Sequence, residues 1–180
     1  MSFSISEFAA SIGASGVANA SNFKVIITPP SSLQIDELSM RCESVDFPGR
    51  NVEFVETGYS GMNFKVAMGS NVPEINISLI LSTDFREKVD ILAWQDKIVG
   101  NYRNGQIAGN MFNINYYDDY KGRVTILQYD DEGEVSYTCD LIDAFPASVG
   151  NITGNWADGA IIHKLPVTFV YRYFTDKVGE

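Results

Sequence analysis

The stretch Ile75-Asn76-Ile77-Ser78-Leu79-Ile80-Leu81 places a branched apolar residue at every second position. Successive side chains of a β-strand point to opposite faces, so this spacing predicts a strand with one face in a core and the other outside it. Its seven residues are an ordinary length for a strand in a globular protein. The stretch therefore indicates a layered β-fold, and the flanking sequence was searched for its partners.

Similar patterns on both sides predict that most of the chain is β-structure. Runs bounded by glycine or proline predict further strands at residues 23–28, 38–43, 52–56, 64–67, 123–129, 135–141 and 161–174. Residues 52–56 and 64–67 are expected to form an extended hairpin with a flexible, glycine-bearing tip. We expect the last strand to bend at Pro166 and residues 145–150 to form a turn.

One helix is predicted over residues 85–100. Thr83 or Asp84 can cap it, and Glu87 follows Asp84 by three residues, as in a capping box. Phe85, Val89 and Leu92 share one face at spacings of four and three, and Trp94 and Ile98 extend this apolar side, which is expected to face the core. Residues 101–120 are expected to be a long loop with room for a short strand. Residues 1–22, rich in Ala, Ser and Gly, are predicted to be a flexible arm before a single domain over residues 23–180.

The charge of the chain excludes several kinds of partner. Its 180 residues include 13 Lys and Arg against 23 Asp and Glu, for a net charge of −10. A basic groove that grips duplex DNA and a polybasic membrane patch are both poor fits to that charge. No apolar stretch approaches the length of a membrane span, so no stable membrane insertion is expected.

A search for catalytic and metal-binding patterns leads to the prediction that the protein is not an enzyme and has no cofactor. Cys139 and His163 could form a nucleophile and a base, but Cys139 and Cys42 are each in phase with the apolar residues of a strand, which favours inert buried thiols. The acidic run 130–134 is reminiscent of a calcium loop. An alignment on Gly133 puts Cys139 where a bidentate glutamate is needed, so no metal site is expected.

Several segments together resemble the tail tube protein of contractile-tailed phages of the T4-like kind. The matching segments are residues 40–49, 61–69, 75–81, 85–100 and 141–150, and the similarity covers residues 23–174. The resemblance implies a mainly β fold, a β-sandwich with one flanking α-helix. Six copies would form a ring with a continuous inner β-barrel, and rings would stack into a tube.

The same resemblance implies a function and partners. The chain would be a structural subunit of a hollow conduit for genome delivery, part of the virion tail and assembled in the host bacterial cytoplasm. Its partners would be further copies of itself, a tail sheath protein, and baseplate or tube-initiator proteins. Duplex DNA would pass through without specific binding, because an acidic or neutral bore repels it. Six chains at −10 would carry −60 per ring.

Two groups of residues are candidates for these roles. The candidates for the lumen or its rim are Glu53, Glu56, Glu74, Asn76 and Ser78, although strand alternation alone is equally consistent with an outer surface. The hairpin region 45–68 is the candidate for contacts between subunits or rings, through Phe47, Pro48, Phe54, Tyr59 and Phe64.

Two alternative functions remain open at this stage. One keeps the fold and changes the cargo, as the tube subunit of a protein-delivering contractile injection system. The other is a soluble β-sandwich binding domain, which would be a monomer or dimer with a pocket of clustered aromatic residues.

Overall fold

The computed structural model describes residues 18–33, 41–59, 61–99, 102–103, 106–107, 114–156 and 161–178. Residues 1–17 of the predicted arm and residues 38–40 of the strand predicted at 38–43 lie outside these ranges, whereas Cys42 and Glu43 belong to β2. In the described part of the chain the strands are β1 (Phe23–Thr28), β2 (Cys42–Val45), β3 (Asn51–Tyr59), β4 (Met62–Asn71), β5 (Ile75–Ile80), β6 (Tyr102–Arg103), β7 (Gln106–Ile107), β8 (Gly122–Tyr129), β9 (Val135–Val149), β10 (Lys164–Val170) and β11 (Tyr173–Val178).

The strands form two sheets that share the long strand β9. The N-terminal half of β9 lies between β8 and β11, and β1 pairs with β8, which makes the first sheet. The C-terminal half of β9 pairs with β10, followed by β5 and β2, which makes the second sheet. All of these pairings are antiparallel. The predicted β-rich, layered fold is therefore confirmed.

The core lies between the two sheets. Alternate residues of every central strand are fully buried and belong to one cluster, including Val25, Ile126 and Leu141 from the first sheet and Ile77, Val167 and Phe169 from the second. Ile75, Ile77 and Leu79 are all buried, whereas Asn76 is exposed, as the alternation of this stretch predicts.

Strand β9 passes from one sheet to the other through a bend at Asp143. This residue has a φ of 56°, in the left-handed region, and the pairing with β8 skips it. Opposite the bend, Tyr171 and Arg172 separate β10 from β11. The Asp143 carboxylate lies 3.8 Å from Lys121 Nζ and 3.7 Å from Arg172 Nη1.

Two sequence predictions about this region are wrong. Residues 145–149 are the end of β9 and not a turn, because their backbone pairs with β10. The last strand breaks at Tyr171 and Arg172, and Pro166 lies within β10. Gly150 lies against this proline: the Gly150 N–H donates to Pro166 O at 2.8 Å, and a Cβ on Gly150 would lie 2.4 Å from Pro166 Cγ, so a larger residue at 150 would clash.

Helix α1 (Arg86–Ile98) covers one side of the sandwich. It buries Ile91 and Trp94, and the Trp94 Nε1–H donates to Tyr120 O at 2.7 Å. Tyr120 belongs to the short helix α2 (Tyr117–Tyr120), so the stretch predicted as a loop over residues 101–120 contains this helical turn and strands β6 and β7.

The predicted cap of α1 is wrong, and its predicted apolar side is only partly buried: Trp94 is in the core, whereas Phe85, Val89 and Leu92 are exposed. The N-cap residue is Phe85, and no side chain caps the helix. Glu87 instead accepts hydrogen bonds from Ser82, five residues before it. Phe85, Val89 and Leu92 face outward, because the larger Trp94 enters the core with Ile91 and thereby sets the rotation of the helix.

Candidate functional site

The hairpin β3–β4 is an exposed two-stranded ribbon, as the sequence predicts. Its strands pair from Asn51 with Asn71 at the base to Tyr59 with Met62 at the tip. Neither strand pairs with either sheet in the described part of the chain. An isolated two-stranded ribbon is marginally stable in water, so a ribbon of this length is expected to lie against another surface.

One face of the hairpin is apolar toward its tip. The cross-strand pairs Val55–Val66 and Thr57–Phe64 lie on this face, followed by the pairing of Tyr59 with Met62. Phe64 is 59% exposed and Met62 is 81% exposed. We call Val55, Met62, Phe64 and Val66 the hairpin apolar face. The candidate contact Tyr59 has its backbone in β3, and its side chain is outside the description.

The opposite face of the hairpin carries an ion pair beside an aromatic ring. Lys65 Nζ lies 3.6 Å from Glu56 Oε1 and 4.6 Å from the centroid of the Phe54 ring. Glu53 has the strand phase of Val55, so it lies on the same side of the ribbon as the hairpin apolar face and not beside Glu56. Glu53 and Glu56, both candidates for the lumen or rim, therefore do not share one surface.

The outer face of the second sheet carries several small, uncharged polar residues, alongside Ile80, Lys164 and Pro166 in the same strand phase. Register places Ser44 beside Ser78, Asn76 beside Thr168, and Thr168 beside Ser148. We call Ser44, Asn76, Ser78, Ser148 and Thr168 the polar face of the second sheet. The structure thus brings the candidates Asn76 and Ser78 together on one face. Glu74 is exposed just before β5.

Hydrogen bonds hold Asn76 in a fixed orientation on this face. Its Nδ2 donates to Asp46 Oδ2 at 3.1 Å, and its Oδ1 accepts from Thr168 Oγ1 at 3.0 Å. With both ends of the amide satisfied within the chain, Asn76 presents a smooth polar surface with little spare capacity to bind a passing molecule.

Phe47 and Pro48, the remaining candidate contacts, lie between β2 and β3. The Phe47 ring is half exposed and 6.1 Å from the ring of Tyr137. Phe47 also lines an apolar recess of about 410 Å³ with Ala18, Ala20 and Tyr137. Part of the Phe47 ring therefore packs against residues of its own chain, and the rest is exposed.

A second apolar surface lies on α1. Phe85, Val89 and Leu92 form a stripe along the outer side of this helix, where Val89 is 49% exposed and Leu92 is 37% exposed. We call these three residues the helix stripe. The sequence pattern identified the stripe correctly, but placed it in the core.

A groove continues the helix stripe toward β9. It has a volume of about 400 Å³ and lies between Leu92 and Val99 on one side and Phe145, Pro146 and Ala147 on the other. Gln95 spans its floor, where its Nε2 donates to the carbonyl oxygens of Pro146 and Ala147 at 3.3 Å each.

The structure offers no activated nucleophile at the two cysteines. Burial raises the pKa of the Cys42 thiol to about 11 and that of Cys139 to about 12, so both remain protonated at neutral pH. Cys139 is fully buried in the core, whereas His163 lies beside Phe85, with ring centroids 5.8 Å apart. Cys139 is thus a packing residue.

Searches for a metal site and a membrane span gave no candidate. Over the described ranges, no three or more His, Cys, Asp or Glu side chains are grouped so that they could hold a metal ion. No helix in the same ranges has the length and apolar character needed to cross a membrane.

Comparison with known proteins identifies the family. The family model described as phage tail tube protein matches residues 5–177, nearly the whole chain. The chain belongs to the phage tail tube protein family. It is accordingly a structural subunit of a tail tube and a component of a phage tail. None of the curated proteins compared with the chain matches it.

Three solved structures share the fold of this family member. A chain of the sheath–tube complex of PVC, an extracellular contractile injection system, is similar over 98% of this chain and 99% of its own, at 18% identity and a TM-score of 0.66. A chain of the baseplate of the anti-feeding prophage is similar over 91% and 97%, at 11% identity and a TM-score of 0.69. Hcp1 from Salmonella typhimurium is similar over 87% of both chains, at 9% identity and a TM-score of 0.51. At these identities the likeness shows the fold.

Proposed function

We propose that six copies of this tail tube subunit close into a ring, and that rings stack into a hollow conduit for genome delivery. The observation that carries the proposal is the β3–β4 hairpin, which exposes large apolar side chains on a ribbon with no partner strand in the described part of the chain. Association with neighbouring copies would bury these side chains. It would also remove open sheet edges, which otherwise promote aggregation.

The polar face of the second sheet is proposed to line the channel. This sheet contributes four strands, β9, β10, β5 and β2. Six copies would supply about 24 strands, and barrels of about 16–18 strands already hold a water-filled bore. The Ser, Thr and Asn side chains of this face carry no charge, and Lys164, in the same phase of β10, is paired with Glu43 Oε1 at 2.6 Å. Glu74 would lie at the rim, and at most one of Glu53 and Glu56 would face the bore.

The proposed cargo is duplex DNA. Each chain carries a net charge of −10, so a ring of six would carry −60 and would not retain a polyanion. Protein is the second candidate cargo, because one of the similar solved chains belongs to an extracellular contractile injection system. The family match favours either tube over the soluble binding domain.

The proposed partners are a tail sheath outside the tube and a baseplate or initiator protein at its end. Chains of a sheath–tube complex and of a baseplate are among the similar structures. The subunit would be assembled in the host bacterial cytoplasm and act in the virion without catalysis or cofactor.

Assembly is tested by native mass spectrometry and negative-stain microscopy of the purified full-length chain, with and without its baseplate complex as a template. We expect six-subunit rings or stacked tubes in at least one of these conditions. A chain that stays monomeric at high concentration, even with the template, would contradict the proposal.

The channel wall is tested by cryo-electron microscopy of the assembled tubes. We expect Asn76, Ser78 and Thr168 to face the bore. The double variant Asn76→Lys/Ser78→Lys should retain added duplex DNA inside the tube at low salt, whereas wild type and the matched control Thr175→Lys on β11 should not. A bore lined by the first sheet, or one already rich in Lys and Arg, would exclude this assignment.

A further inference from the structure

An ion pair lies on the outer side of the second sheet, beside its polar face. Lys164 Nζ on β10 is 2.6 Å from Glu43 Oε1 on β2, and the two side chains are 53% and 37% exposed. Strands β10 and β2 pair with opposite edges of β5, and register places Lys164 beside Ile80. The ion pair therefore links the two strands that flank β5.

This pair contains all of the formal charge within the second sheet. Strands β2, β5 and β10 and residues 144–149 of β9, every one of which the structure describes, hold one basic residue, Lys164, and one acidic residue, Glu43. The single cation of these strands thus has their single carboxylate as its partner.

We propose that Glu43 masks Lys164, so that the channel does not hold duplex DNA. The inference rests on the proposed channel wall and assigns a role to one of its residues. Without Glu43, six copies would place six unpaired ammonium groups around the bore. Lysine contacts to phosphate release counterions from DNA and supply most of its non-specific affinity for proteins. An ammonium that is paired with a carboxylate adds no net positive charge to the wall.

A second carboxylate beside this face, that of Asp46, is too distant to replace Glu43. Asp46 bonds to Asn76, which register places beside Thr168. Thr168 lies four residues along β10 from Lys164, and four residues of a strand span roughly 13 Å. Exposed charges at that separation are largely screened, because the Debye length is about 10 Å in about 0.1 M salt. Glu43 is therefore the carboxylate that neutralises Lys164.

Folding stability does not account for the pair. Both side chains are exposed in part, and exposed ion pairs contribute little to the free energy of unfolding. Glu43→Gln is therefore expected to fold and to assemble as wild type does, and circular dichroism checks the fold. The variant then changes the charge of the wall and little else.

Retention of DNA by assembled tubes tests the masking. Wild-type and variant tubes are incubated with a short fluorescent duplex in about 0.05 M sodium chloride and then sedimented. Glu43→Gln tubes should retain at least about fivefold more duplex than wild type, and should release it as the salt rises to about 0.5 M. Adding Lys164→Gln to the same chain should return retention to the wild-type level.

Asp118→Asn is the matched control. It changes the net charge by the same amount and removes the closer carboxylate partner of Lys121, which is also 2.6 Å away but lies outside the second sheet. Tubes of this variant should retain no more duplex than wild type. Cryo-electron microscopy of Glu43→Gln tubes with duplex should show the additional density inside the bore.

The outcomes separate this inference from the proposed function. If Lys164 faces the bore and Glu43→Gln tubes retain no more duplex than wild type, the masking inference is wrong and the channel wall stands. Equal retention by Glu43→Gln and Asp118→Asn tubes would place the bound DNA outside the bore and overturn the inference.

A Glu43→Gln chain that fails to fold or assemble would also overturn the inference, because the pair would then serve the structure and not the passage of DNA. Lys164 away from the bore would contradict both the inference and the proposed channel wall, but not ring assembly. Wild type that never assembles would contradict the proposed function and this inference together.

Discussion

Glu87 shows how a single buried charge links the start of α1 to Ser82 and Arg41, which lie earlier in the same chain. Its carboxylate accepts from the Ser82 N–H at 2.9 Å and from the Ser82 hydroxyl at 2.8 Å, and lies 3.1 Å from Arg41 Nε. Burial alone would raise the pKa of Glu87. The hydrogen bonds and the Arg41 charge outweigh burial, so the pKa lies below its usual value.

This depressed pKa predicts a specific pH dependence. The ionised carboxylate contributes stability above about pH 4.3, the ordinary pKa of glutamate, and that stability is lost as pH falls through the lower folded-state pKa. Glu87→Gln should lower the free energy of unfolding by roughly 1–3 kcal/mol at pH 7, because it removes a charged acceptor. The loss of unfolding free energy caused by Glu87→Gln should become smaller as the pH falls below the folded-state pKa of Glu87.

Urea unfolding at pH 7 and pH 3 measures the effect of Glu87→Gln. Glu132→Gln, in the exposed turn between β8 and β9, is the matched control, and it should track wild type at both pH values. An equal deficit for Glu87→Gln at both values would show that the side chain acts through packing and not through its charge.

At the scale of elements, the bend in β9 decides how the two sheets meet. The strand pairs with β8 and β11 before Asp143 and with β10 after it, so one residue marks the passage between sheets. Aspartate tolerates the left-handed backbone better than most residues, and a β-branched residue tolerates it poorly. Two basic side chains lie near the Asp143 carboxylate. Lys121 directly follows α2, and Arg172 lies in the break between β10 and β11.

Substitution at the bend should separate backbone strain from charge. Asp143→Val should lower the free energy of unfolding by about 1–3 kcal/mol, because valine is strained at this φ. Asp143→Gly removes the backbone strain together with the weak ion pairs, so it should lower the free energy of unfolding by less than Asp143→Val does. Thr138→Val, earlier in β9, is the control for a valine in the same strand. Urea unfolding is the measurement, and equal losses for the valine and glycine variants would refute the role of strain.

At the scale of the whole molecule, assembly brings together chains of like charge. Each chain carries −10, and salt at about 0.1 M screens exposed charges beyond about 10 Å. We therefore expect tube assembly to accelerate as sodium chloride rises from about 0.05 to 0.5 M, measured by light scattering at fixed protein concentration. Slower assembly at high salt would instead indicate subunit contacts dominated by ion pairs.

Local pattern was sufficient to predict much of this molecule. The alternation at residues 75–81 predicts both the buried and the exposed side of β5, and the predicted glycine-bearing hairpin is found with longer strands than the sequence pattern indicates. The pattern also grouped Asn76 with Ser78, which register places on one face with Thr168. Strand period is a property of the backbone, so such predictions need no knowledge of distant contacts.

The sequence by itself determined where most of the strands lie, which face of them is apolar, and that the chain is acidic. Only the tertiary structure decided where those surfaces point. The rotation of α1 follows from Trp94 entering the core, which leaves the helix stripe outside, and the bend of β9 follows from its change of partner at Asp143. Both depend on contacts between residues far apart in the chain, and a helical period specifies a face without specifying what it faces.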